Sequence, residues 1–193
     1  MIEFGIAIDP KDMARVQGKL KRCAVYLQKE SAGALKQVAE LYYLILIGHI
    51  GEVHSGGGLA FPDTYWAPLS PKWLKEKRMH GWTPEIWEAT GGVKGAIRIF
   101  GIKTQANQTS IFVGLKDVAP DLLRRAMENE FGTKGFAARG LGVTMYEIPE
   151  RPLFEPAKRE MSRGHYHTAI IEAFKQATKA ALANFYCPTK KPF

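Results

Sequence analysis

Hydrophobic and polar positions along the chain follow two periods. Ile2, Phe4, Ile6 and Ile8 alternate with Glu3, Gly5 and Ala7, the period of two of a short strand. Asp9-Pro10 then supplies an N-cap and a proline for the first helical position, with Asp12 in the positive first turn. Met13, Val16, Leu20, Cys23, Leu27, Ala34, Val38, Leu41 and Ile45 keep a 3,4 spacing broken at Ser31. This stripe predicts one helix from about Pro10 to His49, ~60 Å long, with Gly33 as a point of bending or division. Its second half, LYYLILI, is apolar all round and is predicted to be its most buried part.

The stretch GEVHSGGGLAFPDTYW, Gly51 to Trp66, shows no period and reads as a long loop. Three consecutive glycines make a fixed conformation entropically costly, so mobility is expected in a free subunit. Phe61, Tyr65 and Trp66 give that loop large apolar side chains, which predicts either ordering when a neighbouring subunit docks or a loop pinned back on its own core. Ser70-Pro71 caps a short helix, Lys72 to Arg78. Thr90-Gly91-Gly92 marks a break. Ile97–Ile102 and Ile111–Leu115, joined by the polar KTQANQ, read as a β-hairpin. Pro120 opens a helix to about Phe131 that Gly132 ends. TKGFAARGLG, residues 133–142, reads as a second flexible loop, and VTMYEI, Val143 to Ile148, as a strand. A final helix opens at Pro152 or Pro156 and runs to Phe185, weakened at Gly164, before a basic tail. The expected fold is α+β, one domain over residues 1–193. In it a small antiparallel sheet packs against long N- and C-terminal helices.

Composition changes this picture little. Hydrophobic residues at 46% are ordinary for a globular chain. A net charge of +8 attracts polyanions without specifying a groove reader. Cys23 and Cys187 are far apart and read as packing thiols of a reducing compartment. The acidic start lacks the basic and apolar regions of a signal peptide, and LYYLILIGHIG is too short to span a bilayer. The expected product is a soluble protein made in the cytoplasm, with no membrane partner.

No constellation carries enzymatic chemistry. His49 and His54 are five apart, and His165 and His167 two apart, neither in a metal-binding register. GEVHSGGG lacks the Gly-Lys-Ser/Thr of a phosphate loop, and no nucleophile elbow or carboxylate pair stands out. No metal, cofactor or catalytic residue is assigned. Four tryptophans, Trp66, Trp73, Trp82 and Trp87, fall within 22 residues. Trp73 and Trp87 read as cover for the sheet, Trp66 and Trp82 as interface anchors with Phe61 and Tyr65. Lys72, Lys75, Lys77 and Arg78 form a basic face beside them. With Arg124, Arg125, Lys134 and Arg139 they are the positions available to a phosphate backbone.

Four segments follow one another in a telling order: WAPLSPKWLKEK (Trp66–Lys77), TGGVKGAI (Thr90–Ile97), EFGT (Glu130–Thr133) and IPERPLFEPAKREM (Ile148–Met161). Together they resemble the neck and tail-completion proteins of tailed bacteriophages, over residues 66–161, about half the chain. The residues that carry the resemblance are Leu69, Trp73, Gly91, Gly132, Arg151, Pro152 and Phe154. Physically they read as architectural. Pro149 and Pro152 hold the chain extended around Glu150-Arg151, and Gly132 ends a helix. The resemblance implies a virion protein assembled in the host cytoplasm at the head–tail junction. It further implies a homo-oligomeric ring of six or twelve subunits around the DNA channel, contacting head-closure and tail proteins and, without sequence selectivity, the packaged DNA. A tail terminator is the alternative within that class, and a non-specific basic nucleic-acid-binding protein the alternative outside it. The Gly-rich loop and residues 134–147 are longer than is typical of the family.

Overall fold

The computed structural model describes residues 10–53, 55–87, 92–105, 108–139 and 142–186. The expected first strand at residues 2–8, His54, Thr90-Gly91 and the basic tail with Cys187 lie outside them. The architecture is α+β, as the periodicity predicts. α1 is one helix, Pro10–Ile50, of 41 residues and therefore ~62 Å, continuous through Gly33. β1 (Gly58–Phe61), β2 (Thr64–Trp66), α2 (Pro71–Met79) and α3 (Gly92–Ala96) follow. Then come β3 (Ile97–Gln105), β4 (Gln108–Leu115), α4 (Pro120–Phe131), β5 (Thr133–Arg139), β6 (Gly142–Ile148), α5 (Phe154–Met161) and α6 (Gly164–Tyr186).

Three features depart from expectation. Among the described residues the strands form three separate antiparallel hairpins, β1–β2, β3–β4 and β5–β6, and no common sheet. A two-stranded hairpin is marginal alone, so helices must support it. α1 packs on both β3 and β4, and α5 on β1. Residues 133–142, expected to be a loop, supply β5, which pairs with β6 in unbroken register from Thr133↔Ile148 to Arg139↔Gly142. The expected single C-terminal helix is two, α5 and α6, parted at Ser162-Arg163 just before Gly164.

The Gly51–Trp66 stretch is corrected as well: its second half is the β1–β2 hairpin, with Gly58 opposite Trp66. Gly57 shows why the glycines are there. Its φ is +75°, and a Cβ at that position would lie 2.7 Å from the Trp66 carbonyl oxygen and 2.8 Å from Pro68 N. Only glycine lets the two chain segments approach so closely.

The core gathers at one end of α1. Ile45, Leu46 and Ile50 meet Val53, Ala60, Phe61, Trp66, Leu69, Ile86, Trp87, Val93, Ile97, Ala126, Leu153 and Ala157. Trp66, Leu46 and Leu153 are fully buried. At this end His49 Nε2 lies 2.9 Å from Glu160 Oε2, which fixes α5 against the C-terminus of α1. His49 Nδ1 is 3.0 Å from Glu52 Oε2 but off the line of a hydrogen bond. α6 starts a few residues beyond Glu160 and packs along α1, so it must run back toward the N-terminus of α1. Small side chains, Ala173, Ala177, Ala180 and Ala181, make up much of its covered face and permit close helix approach. At 23 residues α6 is ~34 Å long and cannot cover all of α1.

Candidate functional site

The motif residues converge on one segment, Arg151–Phe154. The Arg151 side chain is buried and acts as a three-way tie. Its Nε donates to the Ala67 carbonyl at 2.8 Å, its Nη2 to the Pro68 carbonyl at 2.9 Å and its Nη1 to Asn129 Oδ1 at 3.4 Å. Its backbone N–H donates to the Asn129 carbonyl, and its own carbonyl accepts from Trp87 Nε1 at 2.9 Å. Burial lowers the pKa of the guanidinium. The next carbonyl, of Pro152, accepts from Trp66 Nε1 at 2.8 Å. The Glu130 carboxylate accepts from the backbone N–H groups of Leu153 (2.8 Å) and Phe154 (3.2 Å), which open α5. Tyr42 of α1 closes the set by donating its hydroxyl to the Phe154 carbonyl at 2.8 Å. Burial, with Glu130 and Glu155 nearby, pushes the Tyr42 phenol up to about 12.

Each backbone polar group named here meets a partner from a distant part of the chain, as buried polar groups must. WAPLS, EFGT and ERPLF, separate in sequence, are thus one structural unit. From TGGVKGAI, Val93 and Ile97 enter the same core, while Gly91 lies outside the described residues. Gly132 has φ +65°, and a Cβ there would meet the Ile148 carbonyl oxygen at 2.9 Å. Leu69 is buried, Pro152, Trp73 and Phe154 are half-buried, and Phe154 meets Trp87 edge-on at 6.4 Å. The hydrogen bonds of this unit tie four segments of the chain together.

Glu130 gives a pH signature. Burial of the carboxylate is the largest influence and outweighs the N–H groups it accepts from, so its pKa is raised. A carboxyl raised in the folded state contributes most stability when protonated, and that contribution is lost as pH rises through the folded pKa. The melting temperature of the wild type minus that of Glu130→Gln should therefore fall as pH climbs from about 4.5 toward neutrality. A difference that stays constant between pH 4 and 7 contradicts this assignment.

The predicted surface residues fare unevenly. Phe61 and Trp66 are buried in the chain's own core at 2% and 0% exposure, so neither is an anchor offered to a partner. Their burial follows from the hairpin, in which Phe61 pairs with Thr64 and these two and Trp66 face inward, while Tyr65, 60% exposed, faces out. Trp82 is half-buried, with Trp73 at 5.9 Å and His80 stacked on it at 4.6 Å. Lys77, read as part of a basic face, is instead buried and donates to the carbonyls of Thr83 and Glu85. Lys72 and Lys75 stay exposed on α2 and Arg125 on α4, whereas Arg124 is held by Glu128 at 2.7 Å. Lys134 and Arg139 belong to β5, but their side chains lie outside the described residues.

Sequence reasoning did not find Glu130, Tyr42 or Trp87 as hydrogen-bonding partners. It also missed Asp63, which faces Arg159 at 3.2 Å and Arg163 at 3.1 Å across the β1–β2 turn. Among the described residues no group of three or more His, Cys, Asp or Glu could hold a metal ion, and no helix is long and apolar enough to cross a membrane. No family model, curated protein or solved structure matches this chain.

Proposed function

We propose that this chain is a structural subunit of a tailed-phage virion that assembles as a ring at the head–tail junction. The observation that carries the reading is the convergence on Arg151. Segments noticed only for their order in the sequence meet in one interlocked unit, as a motif set that defines a fold should. The surface supports self-association. Large apolar side chains stand in solvent on α1 (Met13, Val16, Leu20), α4 (Leu123, Met127, Phe131) and α6 (Ile171, Phe174, Leu182). Such faces mark interaction surfaces.

In this reading the positive charge neutralises phosphates of enclosed DNA through Lys72, Lys75 and Arg125, without base readout. Binding to duplex should be weak and equal for native and scrambled sequences. It should fall by an order of magnitude or more between 50 and 200 mM salt, as fluorescence anisotropy can record. Tight binding to one duplex that persists at high salt, with the scrambled duplex failing, overturns the reading in favour of a regulator.

A further inference from the structure

The stripe that α1 carries is covered along only part of its length. From Cys23 onward its positions are half-buried or buried, chiefly where α6 lies alongside. Over Pro10–Arg22 every described side chain is exposed, and Met13, Val16 and Leu20 stand 43%, 50% and 62% in solvent. This arm is three and a half turns of rigid helix, ~20 Å long. Its charges are arranged about the stripe. Lys11, Arg15, Lys19 and Arg22 project on average about 140° round the helix from it, with Lys19 the most lateral at roughly 95°. With Lys21, and against Asp12 alone, these bases give the arm a net charge of +4 (five bases minus one acid).

That charge decides what can cover the stripe. A second arm brings another +4 and is repelled. The apolar face of α6 forms a groove of about 540 Å³, but Lys175 and Lys179 line it. α4 differs. Leu123, Met127 and Phe131, four residues apart, line a groove of about 390 Å³ with Pro120, Arg124 and Glu128. The only charges lining its groove among the described residues, Arg124 and Glu128, neutralise each other at 2.7 Å, and Glu150 approaches Gly132 at the end of the groove. Among these faces α4 alone is both apolar and non-cationic. The arm cannot reach the α4 of its own chain. Ala126 of α4 sits in the core with Ile45, which lies ~38 Å along a continuous helix from Leu20.

We propose that the arm, through Met13, Val16 and Leu20, docks into the Leu123/Met127/Phe131 groove of a second copy of this chain. The contact joins two different patches, so it is heterologous and propagates from copy to copy until it closes into a ring. The basic face of each docked arm then points away from the groove. The proposal rests on the ring reading above and specifies its interface.

The test uses full-length chains with two charge-bearing pairs of exposed substitutions, Val16→Glu/Leu20→Glu in the arm and Met127→Lys/Phe131→Lys in the groove. Unchanged thermal melts confirm that both variants fold, since all four side chains are on the surface. Sedimentation velocity should show a large assembly for the wild type and a monomer for each variant alone. An equimolar mixture should form a one-to-one dimer and nothing larger, because one intact arm and one intact groove remain per pair. A wild type that assembles while both variants assemble equally well overturns the arm–groove contact and leaves the ring standing. So does a mixture that stays monomeric. A monomeric wild type at tens of micromolar overturns both. An arm variant that keeps its assembled mass but loses binding to anionic lipid vesicles would show that a membrane surface covers the stripe.

Discussion

Arg151→Ala should cost ~3–5 kcal/mol and leave little folded protein at 37 °C, given total stabilities of roughly 5–15 kcal/mol. The side chain is 4% exposed, and three acceptors depend on it: the Ala67 and Pro68 carbonyls and Asn129 Oδ1. Truncation leaves these part-buried acceptors without that donor, and each orphaned group costs up to roughly 1–3 kcal/mol. Arg151→Lys should recover only a minor part, because a single ammonium cannot reproduce the planar fork that serves three acceptors together. Chemical denaturation of the two variants measures both losses. An Arg151→Ala protein with a wild-type midpoint would show that the fork is ornamental and that packing alone holds the segment.

Trp66→Ala should be comparably severe, at ~3–5 kcal/mol for an aromatic lost from a packed core. Trp66 is fully buried, meets Phe61 at 6.3 Å and Trp87 at 6.3 Å, and donates to the Pro152 carbonyl. Trp66→Phe separates the two contributions, since it keeps most of the packing but orphans that carbonyl. Its neighbour Tyr65 faces solvent, and Tyr65→Ala should change stability by no more than about 0.5 kcal/mol. The hairpin alternation therefore predicts opposite outcomes one residue apart. Equal losses at the two positions, read from thermal melts, contradict the register.

Much of the fold was legible because it rests on local signals. α1, α2, α4 and the β3–β4 hairpin follow from apolar period, proline at the first helical turn and the Ser70 cap, whose hydroxyl accepts from Trp73 N at 3.3 Å. Features that depend on contact between distant segments were not legible. Consecutive glycines at 56–58 look mobile in a sequence, yet Gly57 is fixed by the nearness of Trp66 and Pro68, which composition does not encode. In β5 the small residues Gly135, Ala137 and Ala138 erase the apolar alternation, so its pairing with β6 was invisible. Lys77 reads as a surface base because the carbonyls that receive it, Thr83 and Glu85, come from a turn beyond its helix.

The architectural role of the motif residues was legible in part. The prolines around Arg151 indicate an extended segment, and Gly132 indicates a helix stop. The partners of that segment were not, because Glu130 reaches the N–H groups of Leu153 and Phe154 across 23 and 24 residues with no periodic trace. Surface roles are the hardest to read. An aromatic in a glycine-rich stretch has the same letters whether it faces a partner or its own core, and Phe61 and Trp66 face the core.

The reading of this chain as a ring-forming virion subunit is tested most directly by the mass of the purified, untagged protein in solution. Sedimentation equilibrium or native mass spectrometry at micromolar concentration suffices. The account predicts a discrete closed assembly of many 21.5 kDa chains, unchanged over a tenfold dilution. A species of 21.5 kDa alone at tens of micromolar would contradict it.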